Sequence, residues 1–269
     1  MTEVSPEVLS KLAELIKATG AAGSPHAAFL EYLKGTTDFF NSIAWPAAAV
    51  ICVLLFRQQL TKFIGDVDTV KVFGAEISRK LSQSAEEASA TTGRSSAPSK
   101  GELIRATEVE ELAAGADIAT IRNQAEELAA EYERVRHSIL PGDPRTRQME
   151  VVVSKMRTLA RAFYPLRHEF SNSSSPGKRL MTVAALQVDP DYDMLEWLAE
   201  RLPVEKPFVG YHAAVALLLA MRAPKAKTYL SQIEPAVTKA SEARSSLGKD
   251  SDRIRTLDDI ERTLALLKQ

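Results

Sequence analysis

The residues that decide the fold class lie between positions 178 and 218, where two alanine-rich apolar segments follow each other. Residues 178–186 read KRLMTVAAL, and residues 211–218 read YHAAVALL. A shift of 32 residues places Ala184 on Ala216 and a leucine on a leucine two positions later. Small residues let two helices approach closely, and leucines fill the space between layers of helices. The recurrence therefore predicts two helices in equivalent positions of one helical layer.

This recurrence is similar to the inner helices of HEAT-type repeats. The resemblance implies a two-layer array of helices over roughly residues 145–222, and a non-repetitive helical bundle is the alternative. Apolar residues also recur at spacings of three and four over residues 102–114, 117–139 and 251–268. Alanine is abundant, and glycine (12) and proline (13) are scarce among the 269 residues. These patterns together predict an all-α domain over residues 102–269.

A second feature is an uncharged apolar run at residues 39–56, which reads FFNSIAWPAAAVICVLLF. At a rise of 1.5 Å per residue the run is about 27 Å long as a helix, close to the ~30 Å hydrocarbon core of a bilayer. The run is apolar on every face, whereas a helix on the surface of a soluble protein has a polar stripe. It therefore predicts a transmembrane helix and its extension over residues 39–64, anchored by Trp45 and Arg57. A buried core helix over residues 43–56 is the alternative.

Basic residues are distributed unequally around the apolar run. Lys34 is the nearest basic residue before it, and the run is followed by Arg57, Lys62, Lys71, Arg79 and Lys80. The positive-inside rule then places the N-terminus outside and the long C-terminal part in the cytoplasm, as in a single-pass protein of a bacterial inner membrane. Residues 1–38 are predicted to form two short amphipathic helices, because apolar residues recur there at helical spacing after capping residues.

The residues between the apolar run and the helical domain have two compositions. Val70–Ile77 is rich in β-branched residues and alternates weakly, which predicts a short strand-like segment over residues 65–81. Residues 82–101 are mostly small and polar, with few apolar side chains to offset the entropy lost on ordering. We expect residues 82–101 to be a flexible, disordered linker.

The region from the apolar run to the predicted strand resembles the anchor of many uncharacterised bacterial single-pass membrane proteins. The resemblance implies a cytoplasmic cargo domain and leaves the activity of that domain open. It rests on four elements, which are Trp45-Pro46, Leu55-Phe56-Arg57, Leu60–Ile64 and Val70–Ile77.

Motifs of catalysis are missing from the sequence. We find no phosphate-binding loop, dinucleotide fingerprint, zinc-protease helix or nucleophile elbow. The only cysteine, Cys52, lies within the apolar run and is interpreted as a small hydrophobic residue. The sequence therefore predicts a protein that is not an enzyme, with no catalytic residue, no metal site and no cofactor.

Basic residues concentrate in the middle of the helical domain, although the net charge of the chain is only −1. A stripe of such residues can bind an anionic ligand, and a helix N-terminus can add to such a site. The expected alternative is that these charges are solvated or paired with acidic residues such as Glu150 and Glu169. No aromatic residues suited to base stacking are interleaved, which argues against sequence-specific binding of nucleic acid. The candidate ligand-binding residues are Arg157, Arg161, Lys178, Arg179 and His212.

Two functions are consistent with these features. The first is a non-catalytic, membrane-anchored helical scaffold, whose partners are the lipid bilayer and an unknown cytoplasmic protein. The second is a membrane effector or sensor whose basic helical domain binds an anionic small molecule. A deep pocket lined by the candidate basic residues would favour the second function, and a broad apolar groove would favour the first. A homo-oligomer joined by a short coiled coil through residues 117–139 is a further alternative.

Overall fold

The computed structural model describes residues 74–90 and 97–269, together with Glu7, Ser10, Lys11, Ala13 and Glu14. The chain divides into two compact units, residues 1–67 and 68–269. The five described residues of the first unit are helical and exposed. The predicted transmembrane helix, with Trp45 and Arg57, lies outside the described residues. Among the helices that the structure describes, none has both the length and the apolar composition needed to cross a bilayer.

The described part of the second unit consists of helices joined by short turns and loops. No residue of 74–90 or 97–269 lies in a strand, so the all-α fold class is confirmed for these residues. Four short 3-10 segments follow or precede the longer helices, at Tyr164–Leu166, Tyr192–Met194, Ala226–Tyr229 and Ala243–Leu247. We number the α-helices in chain order. They are α1 (residues 74–90), α2 (Lys100–Ala113), α3 (Ile118–Ser138), α4 (Asp143–Phe163), α5 (Arg167–Ser171), α6 (Pro176–Val188), α7 (Leu195–Val204), α8 (Pro207–Arg222), α9 (Leu230–Glu242) and α10 (Ser251–Leu267).

Helix α1 corrects two of the expectations from the sequence. The predicted strand-like segment is helical from Gly74 onward, and the predicted linker is helical over residues 82–90. Ile77, Leu81 and Ser84 follow one another at spacings of four and three, and all three are buried. The burial of these three side chains offsets the conformational entropy that the chain loses when the helix forms. The composition of this stretch is polar because only one narrow face of α1 enters the core.

The C-terminal end of the predicted linker is also ordered, because it starts α2. The Ser99 hydroxyl accepts a hydrogen bond from the Glu102 backbone N–H (3.1 Å), and the Ser99 backbone N–H donates to the Glu102 carboxylate (2.6 Å). This reciprocal pair is a capping box, which satisfies two backbone donors at a helix start. The linker prediction is therefore wrong for residues 97–101 as well as for residues 82–90.

Helices α4, α6 and α8 form the centre of the unit. Helix α4 packs against α2, α3 and α6, and α8 packs against α6, α7 and α10. Buried apolar residues form two clusters, the first mainly within α1–α6 and the second mainly within α6–α10. Helix α6 contributes to both, since Leu180 and Ala184 belong to the first cluster and Val183 and Leu186 to the second. Helix α8 also contributes to both, since Phe208 belongs to the first cluster and Leu217 to the second. Helices α6 and α8 therefore join the two clusters together.

Candidate functional site

Five polar side chains meet in the interior of the second unit, and we call them the buried polar cluster. Arg157 is only 1% exposed and His212 is fully buried, although both residues are polar. Polar groups at such positions are normally retained only when other polar groups surround them. The cluster draws on four helices, because it consists of Glu102 (α2), Glu150 and Arg157 (α4), Gln187 (α6) and His212 (α8).

The cluster is held together by short polar contacts between helices. The Arg157 Nε–H donates to Gln187 Oε1 (2.8 Å), and Arg157 Nη1 lies 3.7 Å from Glu102 Oε2. Gln187 Nε2 donates to the His212 backbone carbonyl (2.8 Å) and lies 3.3 Å from His212 Nδ1. His212 Nε2 in turn lies 3.3 Å from Glu150 Oε1. The cluster therefore connects α4 to α8 both through Gln187 of α6 and by the direct approach of Glu150 to His212, and α2 joins it through Glu102.

Two nearby carboxylates offset the cost of burying the charged Arg157 guanidinium. Desolvation lowers the pKa of the Arg157 guanidinium, and the charges of Glu102 and Glu150 act in the opposite direction. An arginine keeps its proton in proteins even when its pKa is lowered. The positive charge of Arg157 is thus stabilised by two carboxylates of its own chain, which an external anion would have to replace.

The side chains of the other three candidate ligand-binding residues contact other partners than the residues of this cluster. Arg161 donates to the Thr107 hydroxyl (3.0 Å). Lys178 Nζ lies 2.6 Å from the carboxylate of Glu126. The structure thus brings Arg157 and His212 together, but it does not collect the five residues into one pocket.

Arg179 is also engaged within the fold. Its Nε donates to the Glu205 carboxylate, and its Nη1 donates to the Ser173 carbonyl (2.7 Å). The pairing of basic with acidic residues, which the sequence suggested as the alternative, is what the structure contains at these positions. The partners differ in part from those expected, because Glu169 pairs with Arg122.

The structure contains an open groove between α1 and α3, with α4 beneath it, and we call it the α1–α3 groove. Its volume is about 700 Å³, which lies within the range typical of ligand sites. None of the five candidate ligand-binding residues lines it. It is lined by Ser78, Leu81, Ser82, Asn123, Gln124, Glu126, Glu127, Leu128, Ala130, Glu131, Arg134 and Lys155.

The lining of the α1–α3 groove is polar and has more acidic than basic groups. Two of its three carboxylates have cationic partners, since Glu131 pairs with Lys155 (2.7 Å) and Glu126 with Lys178 (2.6 Å). The third, Glu127, is exposed and accepts a long hydrogen bond from Gln124 (3.4 Å). Glu127 therefore keeps most of its capacity to accept further hydrogen bonds from a bound group.

The groove was not predicted from the sequence because the residues of α1 were expected to form a strand and then a linker. One wall of the groove consists of Ser78, Leu81 and Ser82, which lie where a strand and then a linker were expected. The available signal was the spacing of Ile77, Leu81 and Ser84, which repeats every three to four residues as on one face of a helix.

Neither a metal site among the described residues nor a similar protein indicates the function of this structure. Within residues 74–90 and 97–269, no three or more His, Cys, Asp or Glu side chains are grouped in a way that could hold a metal ion. No protein-family model, no curated protein and no solved structure matches the chain. The α1–α3 groove is therefore the feature of the described residues on which a function can be based.

Proposed function

We propose that the protein is a single-pass, membrane-anchored helical scaffold that binds a basic segment of a cytoplasmic protein in its α1–α3 groove. The observation that carries this proposal is the groove itself, in which α1 and α3 lie on α4 with polar side chains between them. A helix or an extended peptide fits such a groove, as in other modes of peptide recognition. The role is non-catalytic, because the groove presents groups that bind and orient a partner.

The charge of the groove defines the chemistry of the partner. Glu131 and Glu126 are paired with Lys155 and Lys178, and Arg134 also lines the groove. Glu127 is the exposed carboxylate that has no cationic partner among the residues the structure describes. A lysine or arginine of a partner would form a charge-assisted hydrogen bond there. Asn123 and Gln124 would add hydrogen bonds to a polar or main-chain group. We therefore expect a peptide with basic side chains rather than an acidic or purely apolar one.

The membrane anchor in this proposal rests on the apolar run at residues 39–56. Its length, its lack of a polar stripe and the basic residues after it support insertion with the C-terminal part in the cytoplasm. Helix α1 follows the run closely in the sequence, so a protein bound in the α1–α3 groove would be recruited to the inner membrane.

The packing of the helices supports a HEAT-like arrangement as part of this proposal. Helix α3 packs on α4, α7 on α8, and α9 on α10, while α4, α6 and α8 pack in succession. Ala184 and Ala216, which the shift of 32 residues superimposes, are both buried. Successive helix pairs that bury one continuous core are typical of helical-repeat scaffolds. A non-repetitive bundle remains the alternative.

The sensor hypothesis has less support in the described part of the chain. It requires Arg157, Arg161, Lys178, Arg179 and His212 to share a pocket, and they do not line the α1–α3 groove. An anion would also have to displace the carboxylates that pair with these residues. We therefore keep it as the alternative that the following experiment can distinguish.

The groove can be tested with a defined peptide. Full-length protein in detergent micelles is titrated into a fluorescein-labelled helical peptide of alanine and lysine, and fluorescence anisotropy reports binding. We expect saturable binding that weakens as salt is added, because exposed charges are screened. The substitution Glu127→Lys should weaken binding at least tenfold. The control Glu242→Lys makes the same charge change at an exposed position of α9 and should leave binding unchanged.

Two results would contradict the groove proposal. One is the absence of saturable binding to the basic peptide, and the other is an equal loss in Glu127→Lys and Glu242→Lys. Preferential binding of the matching glutamate peptide would instead favour the sensor for anions. The anchor is tested separately, because the full-length protein should sediment with membranes and resist extraction at high pH. Recovery of the protein in the supernatant of a detergent-free lysate would refute the anchor.

A further inference from the structure

The orientation of the Gln187 side-chain amide is determined by its two neighbours. Oε1 lies 2.8 Å from Arg157 Nε, and Nε2 lies 2.8 Å from the His212 backbone carbonyl. An arginine N–H is only a donor, and a backbone carbonyl is only an acceptor. The reversed amide would place two donors together at one end and two acceptors together at the other. Only one orientation of the amide therefore satisfies both contacts.

The orientation of Gln187 determines which nitrogen of His212 carries the proton. The Gln187 NH2 group is 3.3 Å from His212 Nδ1, so Nδ1 faces a donor and must present its lone pair. In the neutral imidazole the proton then lies on Nε2. Nε2 points toward Glu150 Oε1 at 3.3 Å, an ion-pair distance at which the alignment falls short of a regular hydrogen bond. Hydrogen-bond donation thus runs in one direction, from Arg157 through Gln187 to His212 and then toward Glu150.

Other titratable and charged groups surround this chain of contacts. Glu102 of α2 lies 3.7 Å from Arg157 Nη1, and Arg253 of α10 lies against α8 at Gly210. The Tyr211 and Phe208 rings meet the His212 ring edge to face, at centroid distances of 5.3 and 4.6 Å. Tyr132 of α3 stacks on Phe208. The imidazole is thus enclosed by aromatic rings, and Nδ1 and Nε2 each face a polar group of another helix.

We propose that Arg157, Gln187, His212 and Glu150 form an acid-sensitive joint between α4, α6 and α8. Neutral His212 completes the joint, because its Nδ1 accepts from Gln187. A second proton on His212 can bind only at Nδ1, where it meets the NH2 donor of Gln187. The amide cannot turn to accept that proton without losing its contacts to Arg157 and to the His212 carbonyl. Protonation of His212 therefore breaks the contact between its Nδ1 and Gln187 and weakens the attachment of α8 to α6.

Glu150 is buried beside His212 Nε2, and Gln187 lies at Nδ1 of the same ring. The two ring nitrogens therefore face different helices, α4 and α6. The joint does not depend on the α1–α3 groove, so it can be tested whether or not the groove binds a peptide.

The first test is the position of the proton in the unmodified protein. Full-length protein labelled with ¹⁵N is studied in detergent micelles, and long-range nitrogen–proton NMR distinguishes protonated from unprotonated imidazole nitrogens. At neutral pH we expect His212 to show an unprotonated Nδ1 and a protonated Nε2. As the pH is lowered, the side-chain NH2 signals of Gln187 should shift with the same midpoint as the His212 ring. A proton on Nδ1 at neutral pH, or Gln187 signals that do not follow His212, would overturn the proposal.

A substitution gives a second, independent test. Gln187→Glu replaces the donor beside Nδ1 by an acceptor and keeps an oxygen for Arg157. We expect His212 to become doubly protonated at a pH at which the unmodified protein has the neutral ring. The control Gln148→Glu adds the same charge at an exposed position of α4 and should leave His212 neutral. A folded Gln187→Glu protein with an unchanged His212 would refute the joint, and if that variant does not fold, the titration of the unmodified protein decides.

Discussion

Substitution of Gly177 should push two helices apart, because Gly177 lies where the start of α6 touches α3. A Cβ atom at this position would lie 2.3 Å from the Ala129 carbonyl oxygen and 2.8 Å from its carbonyl carbon. Ordinary contacts between such atoms are about 3.5–4.0 Å. The Cβ atom would thus lie more than 1 Å too close to the Ala129 carbonyl oxygen. Because this oxygen belongs to the backbone, rotation of a side chain cannot relieve the clash. In Gly177→Ala, α6 must therefore move away from α3 by about 1 Å.

The expected cost of Gly177→Ala follows from this displacement. Overpacking in a close-packed interior costs about 1–3 kcal/mol, and the upper half of that range applies because the obstacle is rigid. The movement also stretches two contacts of Glu133, with the Ser175 hydroxyl (2.5 Å) and the Gly177 backbone N–H (3.2 Å). Alanine offers at most about 1 kcal/mol of better helix propensity in return. We expect a net loss of about 2 kcal/mol, which lowers the melting temperature by about 4–8 °C for a domain of this size.

Thermal and denaturant unfolding, followed by far-ultraviolet circular dichroism, measure this effect. Gly115→Ala is the matched control, because a Cβ there meets nothing within 4 Å. It should stabilise the protein slightly, by about 0.4–1 kcal/mol, through a less flexible unfolded chain. If Gly177→Ala and Gly115→Ala have equal stability, the close approach of α6 to α3 is wrong.

Three further predictions concern charged and capping residues. Arg157→Met should lower the free energy of unfolding by about 3–5 kcal/mol in a denaturant titration, because it leaves buried carboxylates without their cation. The control Arg222→Met changes an exposed position, and its free energy of unfolding should stay within about 0.5 kcal/mol of that of the unmodified protein. Ser99→Ala removes the capping hydroxyl of α2 and should lower the free energy of unfolding by about 1 kcal/mol. Ser99→Thr keeps a hydroxyl and should retain most of that free energy. Equal stability of the unmodified protein and both variants would exclude the capping box. Hydrogen bonds from Arg105 hold the pKa of the Glu87 carboxyl below its ordinary value, so this pair stabilises the fold at neutral pH and loses its effect as the pH falls through the lowered pKa. In Arg105→Gln, NMR titration of the carboxyl should show the pKa of Glu87 back near its ordinary value, and an unchanged titration would show that Arg105 is not the cause.

The helical class of the domain was predictable because it depends on local spacing and capping. The segments predicted as helices at residues 102–114 and 117–139 correspond to α2 (Lys100–Ala113) and α3 (Ile118–Ser138). Their apolar residues recur every three to four positions, and that period is a property of the helix itself. Asp117 caps α3 by accepting from the Ala119 backbone N–H (3.0 Å), a contact that spans only two residues.

Helix α1 shows where local reasoning fails. Its residues are mostly small and polar, and composition alone predicted a linker. The spacing of Ile77 and Leu81 was readable from the chain, but the burial of Ser84 was not. Its hydroxyl contacts Thr158 of α4 and accepts from Arg105 Nε (2.7 Å) of α2, and both partners are distant in the sequence.

For the candidate ligand-binding residues, too, the sequence showed the local pattern but not the contacts made in the folded protein. Their charge and helical spacing were evident from the chain, but spacing does not show what a side chain meets. Arg157 and Arg161 lie four residues apart on α4, yet Arg157 is buried against Gln187 and Glu102, and Arg161 is half exposed and bonded to Thr107. The difference arises because neighbouring helices cover one part of α4 more deeply than the other.

The sequence by itself determined that residues 102–269 are helical and which faces of these helices are apolar, because both depend on interactions within a few residues. It also showed the long uncharged run at residues 39–56, which is a property of composition. The tertiary structure alone decided which distant residues hold α1 in place, that a polar groove lies between α1 and α3, and that Arg157 and His212 share a buried cluster with Gln187. These features arise when segments far apart in the chain pack together. Packing removes charged side chains from water and pairs them with residues of other helices, and the spacing of residues along one helix does not show either effect.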